Sequence, residues 1–97
     1  MPRGVFEIGI ELLPAERGKG YGRAALTQFT ELLMREHEAH RVQASTALDN
    51  AAMRRVFELV GYSFEGVLRA LMKGPGGELE DYALYAFTVT DRDGRPR

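Results

Sequence analysis

The chain predicts a mixed α/β domain with the element order β-α-β-α-β-β, and three observations carry that expectation. Two stretches of alternating apolar residues are each followed by a stretch with helical apolar spacing, a glycine-rich turn separates two final apolar stretches, and 97 residues hold one domain at most. A domain of this size buries roughly two thirds of its unfolded surface, so it has little core to spare.

The first strand is expected over 5–13, "VFEIGIELL", where Phe6, Ile8, Ile10 and Leu12 share one face and Pro14 helps end the run. From Tyr21 to about Glu36, Ala25, Leu26, Phe29, Leu32 and Leu33 recur at i, i+3, i+4 and i+7, the spacing of an amphipathic helix. Residues 41–48 alternate Val42, Ala44, Thr46 and Leu48 with more polar neighbours, a second strand. The stretch from Asp49 opens on two cap-forming residues, places Met53, Val56, Phe57 and Val60 at helical spacing, and stops at Gly61. Two apolar stretches at about 62–72 and 82–90 flank "KGPGGELED" and read as an antiparallel pair. The polar tail 91–97 is expected to fray, which leaves a core over 5–90 in a single domain spanning 1–97.

Composition narrows the function. A net charge of −1 provides no bulk attraction to nucleic acid or anionic membrane, so anion binding has to be local. Cysteine is absent, which excludes thiolate nucleophiles and thiolate metal sites and fits a reducing cytoplasm. No long apolar run marks a signal peptide or a membrane helix, and the expectation is a soluble cytoplasmic protein.

The most informative stretch is "PAERGKGYGR", where Gly18, Gly20 and Gly22 sit between the first strand and the first helix. Glycine costs roughly 1 kcal/mol inside a helix, but at a helix N-terminus it lets an anion reach unpaired N–H groups without meeting a Cβ. The P-loop and dinucleotide patterns both fail: Lys19 is followed by Gly20, and Arg23 stands where the last glycine of G-x-G-x-x-G would be. On spacing alone, a phosphate cradle and a plain tight turn both stand.

"IGIELLPAERGKGYGRAAL" resembles the acyl-CoA-binding signature of the GCN5-related N-acetyltransferases, in which Arg or Gln is followed by two residues, Gly, one residue, and Gly or Ala; here these are Arg17, Gly20 and Gly22. "LDNAAMRRVFELVGYSFEGVLR" is similar to the family's second segment, with Asn50 opening a helix that closes on Gly61 and Tyr62. Glu65, Gly66, Arg69 and Asp81 resemble the branch typified by ribosomal-protein N-terminal acetyltransferases. The resemblance implies the acyl-CoA N-acyltransferase fold without the N-terminal strands and helices that relatives carry ahead of the strand at Val5, and acetyl-CoA as cofactor. It implies that Leu12 and Leu13 pair with pantetheine across a splayed strand. The pyrophosphate would rest on the amides of Gly18, Lys19, Gly20, Tyr21, Gly22 and Arg23, with Arg17 and Lys19 either adding charge or standing as solvated surface. Asn50 would hydrogen-bond pantetheine, with Met53, Arg54 and Phe57 facing its other side.

The implied reaction is direct acetyl transfer to an uncharged amine, at a protein N-terminus or on a small molecule; the acceptor is not identified. Glu11 is the candidate base, against the plainer reading of a solvent-facing strand residue. The acid is harder to place, because many relatives have Tyr where this chain has Phe57, and the N-terminal-amine branch often has Ser where it has Met53. Tyr62, Tyr82 and Tyr85 are alternative donors, each also readable as a packed strand aromatic. The absence of a donor at 53 and 57 sets a second reading beside the enzyme: a noncatalytic acyl-CoA-binding or assembly module.

His37 and His40, with Glu36 and Glu38, have metal-like spacing but sit at a helix end, where capping explains them; no metal is expected. Arg54, Arg55 and Arg69 lack the aromatic ladder of a nucleic-acid surface. Without a neighbour, the strand at 5–13 becomes a sheet edge, and this predicts a homodimer joined edge to edge or by strand exchange.

Overall fold

The computed structural model describes residues 3–10 and 20–94. Strand β1 (Val5–Glu7) leads towards helix α1 (Tyr21–Glu36), followed by β2 (Arg41–Ala47), α2 (Ala51–Val60), β3 (Ser63–Lys73), β4 (Leu79–Thr88) and a short helix α3 (Val89–Asp93). The strands form one sheet in the order β1-β2-β4-β3. β1 runs parallel to β2, as a helical crossover requires, and the other pairs are antiparallel. The expected mixed α/β order is present, and no described helix is long and apolar enough to cross a membrane.

Helix α1 occupies the expected residues, but its buried stripe is rotated from the one the spacing suggests. Gly22, Leu26, Thr30, Leu33 and Met34 are buried, whereas Ala25 is exposed and Phe29 is 46% exposed. The apolar arc of α1 is broad, and a hydrogen bond of 2.7 Å between the Thr30 hydroxyl and the buried Tyr62 hydroxyl turns a polar residue inward. Helix α2 is bounded as its sequence indicates, with Asn50 capping one end and Gly61, at φ 105°, closing the other.

One sheet face carries Val42, Ala44, Thr46, Ala83 and Tyr85, all buried, and these pack with Leu26 and Leu33 of α1 and Met53 and Phe57 of α2. Aromatic rings run through this core from Phe87 to Tyr62, Phe57, Tyr85 and Phe64, with successive centroids 5.6, 5.4, 5.0 and 5.6 Å apart. The other face is polar where it crosses the strands. Arg41 on β2 reaches over β4 to Glu65 on β3 with two hydrogen bonds of 2.6 and 3.1 Å, which raise the guanidinium above its already high ordinary pKa. Arg41 also donates to Gln43, and Gln43 donates to Glu7 at 3.2 Å. Ala86, in register between Gln43 and Ser63, is small enough for this bridge to pass over it and is itself buried.

Three boundaries differ from the sequence expectation. The β1 ladder ends at Glu7 instead of running to 13, and residues 11–13 lie outside the described region. β4 begins at Leu79 instead of 82, because Gly74 and Glu78 close the turn early: the Gly74 N–H donates to the Glu78 carbonyl at 2.7 Å. The expected strand end and fraying tail include α3, in which the Thr88 side chain accepts from the Asp91 N–H while the Asp91 carboxylate accepts from the Thr88 N–H. This reciprocal cap lies at Thr-x-x-Asp, hidden by the strand-like alternation ahead of it.

Burial pushes the Tyr62 phenol above its usual range, and the Thr30 hydrogen bond partly opposes the shift. The folded chain therefore holds this proton to higher pH than the unfolded chain does. Stability linked to it is intact below the unfolded value and falls as pH climbs through about 10. Tyr62→Phe should cost roughly 1–3 kcal/mol near neutrality, by leaving Thr30 without its partner, and should flatten the alkaline decline. Denaturant titrations across that pH range check both; an equal alkaline slope in wild type and variant would contradict the assignment.

Candidate functional site

Among the described residues, the last backbone hydrogen bond from the β1 segment to β2 is the Ile8 N–H donating to the Gln43 carbonyl at 3.0 Å. Beyond it the two segments part, while β2 stays paired with β4 as far as Ala47 and Tyr82. Gly9 and Ile10 on one side and Ser45, Thr46 and Ala47 on the other line a cleft of about 650 Å3, whose wall also includes Asn50, Met53 and Tyr82. That volume falls within the range of small-molecule sites. Because Gln43 turns its carbonyl toward β1, strand alternation turns the N–H and C=O of Ser45 to the same side, into the space β1 has left. A strand that parts from its neighbour in this way offers backbone pairing to an extended ligand.

The N-terminus of α1 is the second component. Gly20 stands at the N-cap with φ 78°, makes no side-chain cap, and is followed by a first turn with no acidic residue. The amides of Tyr21, Gly22 and Arg23 therefore precede the first helical hydrogen bond, from Ala24 to Gly20, and among the described residues have no cap side chain, with the dipole of a 16-residue helix behind them. A Cβ built on Gly20 would meet nothing within 4 Å, so glycine is required there by its left-handed backbone, not by crowding. Tyr21 and Arg23 are exposed and Gly22 is buried. Glu11, Leu12, Leu13, Arg17, Gly18 and Lys19 lie outside the described residues.

Helix α2 brings the remaining candidates. The Asn50 side-chain oxygen accepts from the Met53 N–H at 3.1 Å, and the residue borders the cleft. Met53 also lines the cleft, although only 3% of it is exposed. Phe57 is fully buried beneath it, stacked on Tyr85. Arg54 turns inward: its Nε donates to the Tyr85 hydroxyl at 3.0 Å, its Nη1 donates to the Leu48 carbonyl at 2.9 Å, and its guanidinium lies 5.4 Å from the centre of the Phe64 ring.

The structure separates the three tyrosines offered as donors. Tyr62 is bonded to Thr30, Tyr85 accepts from Arg54, and Tyr82 borders the cleft. Sequence reading missed Ser45 and Met72, which also line it; the alternation along β2 could have signalled Ser45, whereas Met72 comes from the far end of β3. A slightly larger groove of about 740 Å3 lies between α1, the end of α2 and α3, with Met34, Val60 and Phe87 at its base and Glu31, Arg35 and Arg92 at its rim. It shares no lining residue with the cleft at the strand divergence.

Asn50→Ala should lower stability by about 1 kcal/mol through loss of the cap, and Asn50→Ser, which keeps a cap acceptor, should recover most of it. Chemical denaturation of the three proteins checks the order; equal losses in both variants would mean that the amide does more for the fold than cap α2.

The acetyltransferase (GNAT) domain family matches residues 1–63. No curated protein matches the chain in sequence. Among solved structures, a GNAT-family acetyltransferase from Bacillus anthracis is 27% identical with a TM-score of 0.80, over 91% of this chain and 52% of that one. Mycobacterium smegmatis RimJ, solved with CoA-disulfide, is 25% identical with a TM-score of 0.84, over 100% of this chain and 44% of its own. A ribosomal-protein alanine acetyltransferase from Vibrio fischeri shares the fold at 23% identity and a TM-score of 0.83, over 98% of this chain and 50% of that one. The chain thus spans about half the length of these structures. With a family match over more than half of its residues, and the parted strands and glycine-capped helix in place, the chain belongs to the GNAT acetyltransferase family.

Proposed function

We propose that the chain binds acetyl-CoA across the parted strands and the α1 N-terminus, and transfers the acetyl group to a primary amine in a cytoplasmic setting. The observation that carries this reading is the conjunction of a helix N-terminus whose N-cap is a left-handed glycine without a side-chain cap bond and a cleft opened by the end of the β1–β2 ladder. The fit is chemical. Orphan amides at Tyr21, Gly22 and Arg23 suit a pyrophosphate, and Gly20 lets it approach without a Cβ in the way. The backbone of Ser45 and the side chain of Asn50 suit the amides of a pantetheine arm.

Acetyl-CoA supplies an activated thioester. The chain's own part in this reading is to hold the phosphates at α1, align the arm along β2, and take the proton of the attacking amine at the candidate base Glu11. The acceptor is a protein N-terminus, as the ribosomal-protein branch would have it, or a small-molecule amine. A noncatalytic acyl-CoA-binding module is the second reading, favoured by one observation: Met53 and Phe57, both buried, carry no group able to donate a proton.

A homodimer belongs to the same proposal. Among the described residues β1 has no partner strand on its outer side, and Phe6, Ile8 and Ile10 are only partly buried, so a second copy would cover both the edge and these side chains. Light scattering should give twice the chain mass at micromolar concentration; a monodisperse monomer that unfolds cooperatively would count against it.

Isothermal titration should show acetyl-CoA binding to the folded wild type, abolished by Gly20→Glu, which sets a negative side chain at the cradle on a strained backbone. A folded wild-type protein that binds no acetyl-CoA would sink both readings. Release of free CoA in the presence of an amine panel, lowered in Asn50→Ala, selects the enzyme; binding without turnover selects the module.

A further inference from the structure

We propose that the outer flank of α1 is the docking surface for a second copy of this chain, with the two α1 helices packed antiparallel across a two-fold axis, an inference that rests on the homodimer reading above. The buried stripe of α1 leaves a second apolar line uncovered: Tyr21 is 57% and Phe29 46% exposed, Ala25 is exposed, and Leu32 is half-buried. With Gln28 and Glu36 these residues recur at intervals of three and four, forming one seam along a 16-residue helix. Single exposed apolar side chains are ordinary on a protein surface, but a seam of this length marks an interaction face.

The seam is turned to the open edge of the sheet. Thr27, Glu31 and Arg35 face α2 and α3, so helical spacing sets the seam on the other side of α1, where β1 ends the sheet. Phe6 meets the ring of His37, which caps the end of α1, with centroids 6.3 Å apart. Eight residues back along the helix, about 12 Å, is Phe29. Four residues on in the β1 direction, about 13 Å, is Ile10, which lines the cleft opposite Thr46 and Ala47. Phe29 therefore comes level with Ile10, where the chain has already left β2 after its last bond at Ile8.

This flank is complementary to itself. About an axis between positions 28 and 29 of two antiparallel helices, Ala25 faces Leu32 of the second copy, small against large, and Gln28 meets Phe29 at the centre. Tyr21 faces Glu36, where a phenol can donate to a carboxylate. A contact of this isologous kind closes after two copies. The sheet edge suits the same axis. A crossover helix stands over the two strands it joins, so α1 lies about half a strand spacing inside β1. Two copies whose edges meet beside Ile8 and Ile10 at the usual spacing of about 4.8 Å place their α1 axes on the order of 10 Å apart, the packing distance of helices. A stable dimer buries about 800 Å2 on each partner, more than the three-residue edge of β1 supplies. The flank of a helix about 24 Å long adds the missing surface.

The test compares oligomeric state by light scattering in folded variants. Phe29→Lys sets a charge at the centre of the seam and should weaken the dimer by about a hundredfold. Leu59→Lys, at a leucine of α2 that is 42% exposed, should leave the dimer unchanged. The chain has no cysteine, so Gln28→Cys adds a single thiol at the axis, and mild oxidation should join two copies through it; Arg55→Cys, at an exposed position of α2, should not cross-link. The disulfide decides if Phe29→Lys fails to fold. A wild-type dimer that survives Phe29→Lys and gives no disulfide at position 28 overturns the α1 seam and leaves the homodimer reading standing. A wild type that stays monomeric at micromolar concentration overturns both.

Discussion

The guanidinium of Arg54 is the point on which the rest of the molecule depends. From one turn into α2 it bonds the Tyr85 hydroxyl on β4 and the carbonyl of Leu48 just beyond β2, and it lies over the Phe64 ring on β3. A charge placed this close to the core is costly unless hydrogen-bonded, and its two bonds and one ring contact tie α2 to β4, to the residue that follows β2, and to β3. The stacking of Phe57 on Tyr85 follows from the same placement, since both belong to the elements that Arg54 joins.

From that anchor the site is assembled outward. Fixing Leu48 fixes the turn into Asn50, whose side chain caps α2 and whose position borders the cleft. The strand ladder supplies the opposite constraint: β2 remains bound to β4 through Ala47 while β1 departs after Ile8. A sheet that closed fully here would satisfy its backbone internally and offer nothing to a ligand. The cleft exists because β2 stays rigid on one side while losing its neighbour on the other.

The open face of the sheet is ordered by different means. The chain of hydrogen bonds from Glu7 through Gln43 and Arg41 to Glu65 crosses all four strands above Ala86. Partly exposed ion pairs of this kind contribute little stability each. Their effect is to keep polar groups, not apolar ones, over the half of that face where β1 and β2 are still paired.

Much of this molecule was legible in its sequence. The alternation of Val42, Ala44 and Thr46, the cap and stop of α2 at Asn50 and Gly61, and the glycine cluster before α1 are local signals, because each depends on backbone geometry within a few residues. The sequence by itself therefore determined the order of the first six elements and marked the helix N-terminus as a candidate place for an anion, beside the reading of a plain tight turn. Other features had no local signature. The inward turn of Thr30 at the expense of Phe29 is set by Tyr62, thirty-two residues away, and the commitment of Arg54 to the core is set by Tyr85. The end of the β1 ladder at Ile8 and the arrival of Tyr82 in the cleft are likewise pairings between distant strands. Only the tertiary structure decided these, because the free energy of a buried hydrogen bond or a strand register belongs to both partners and cannot be read from either one alone.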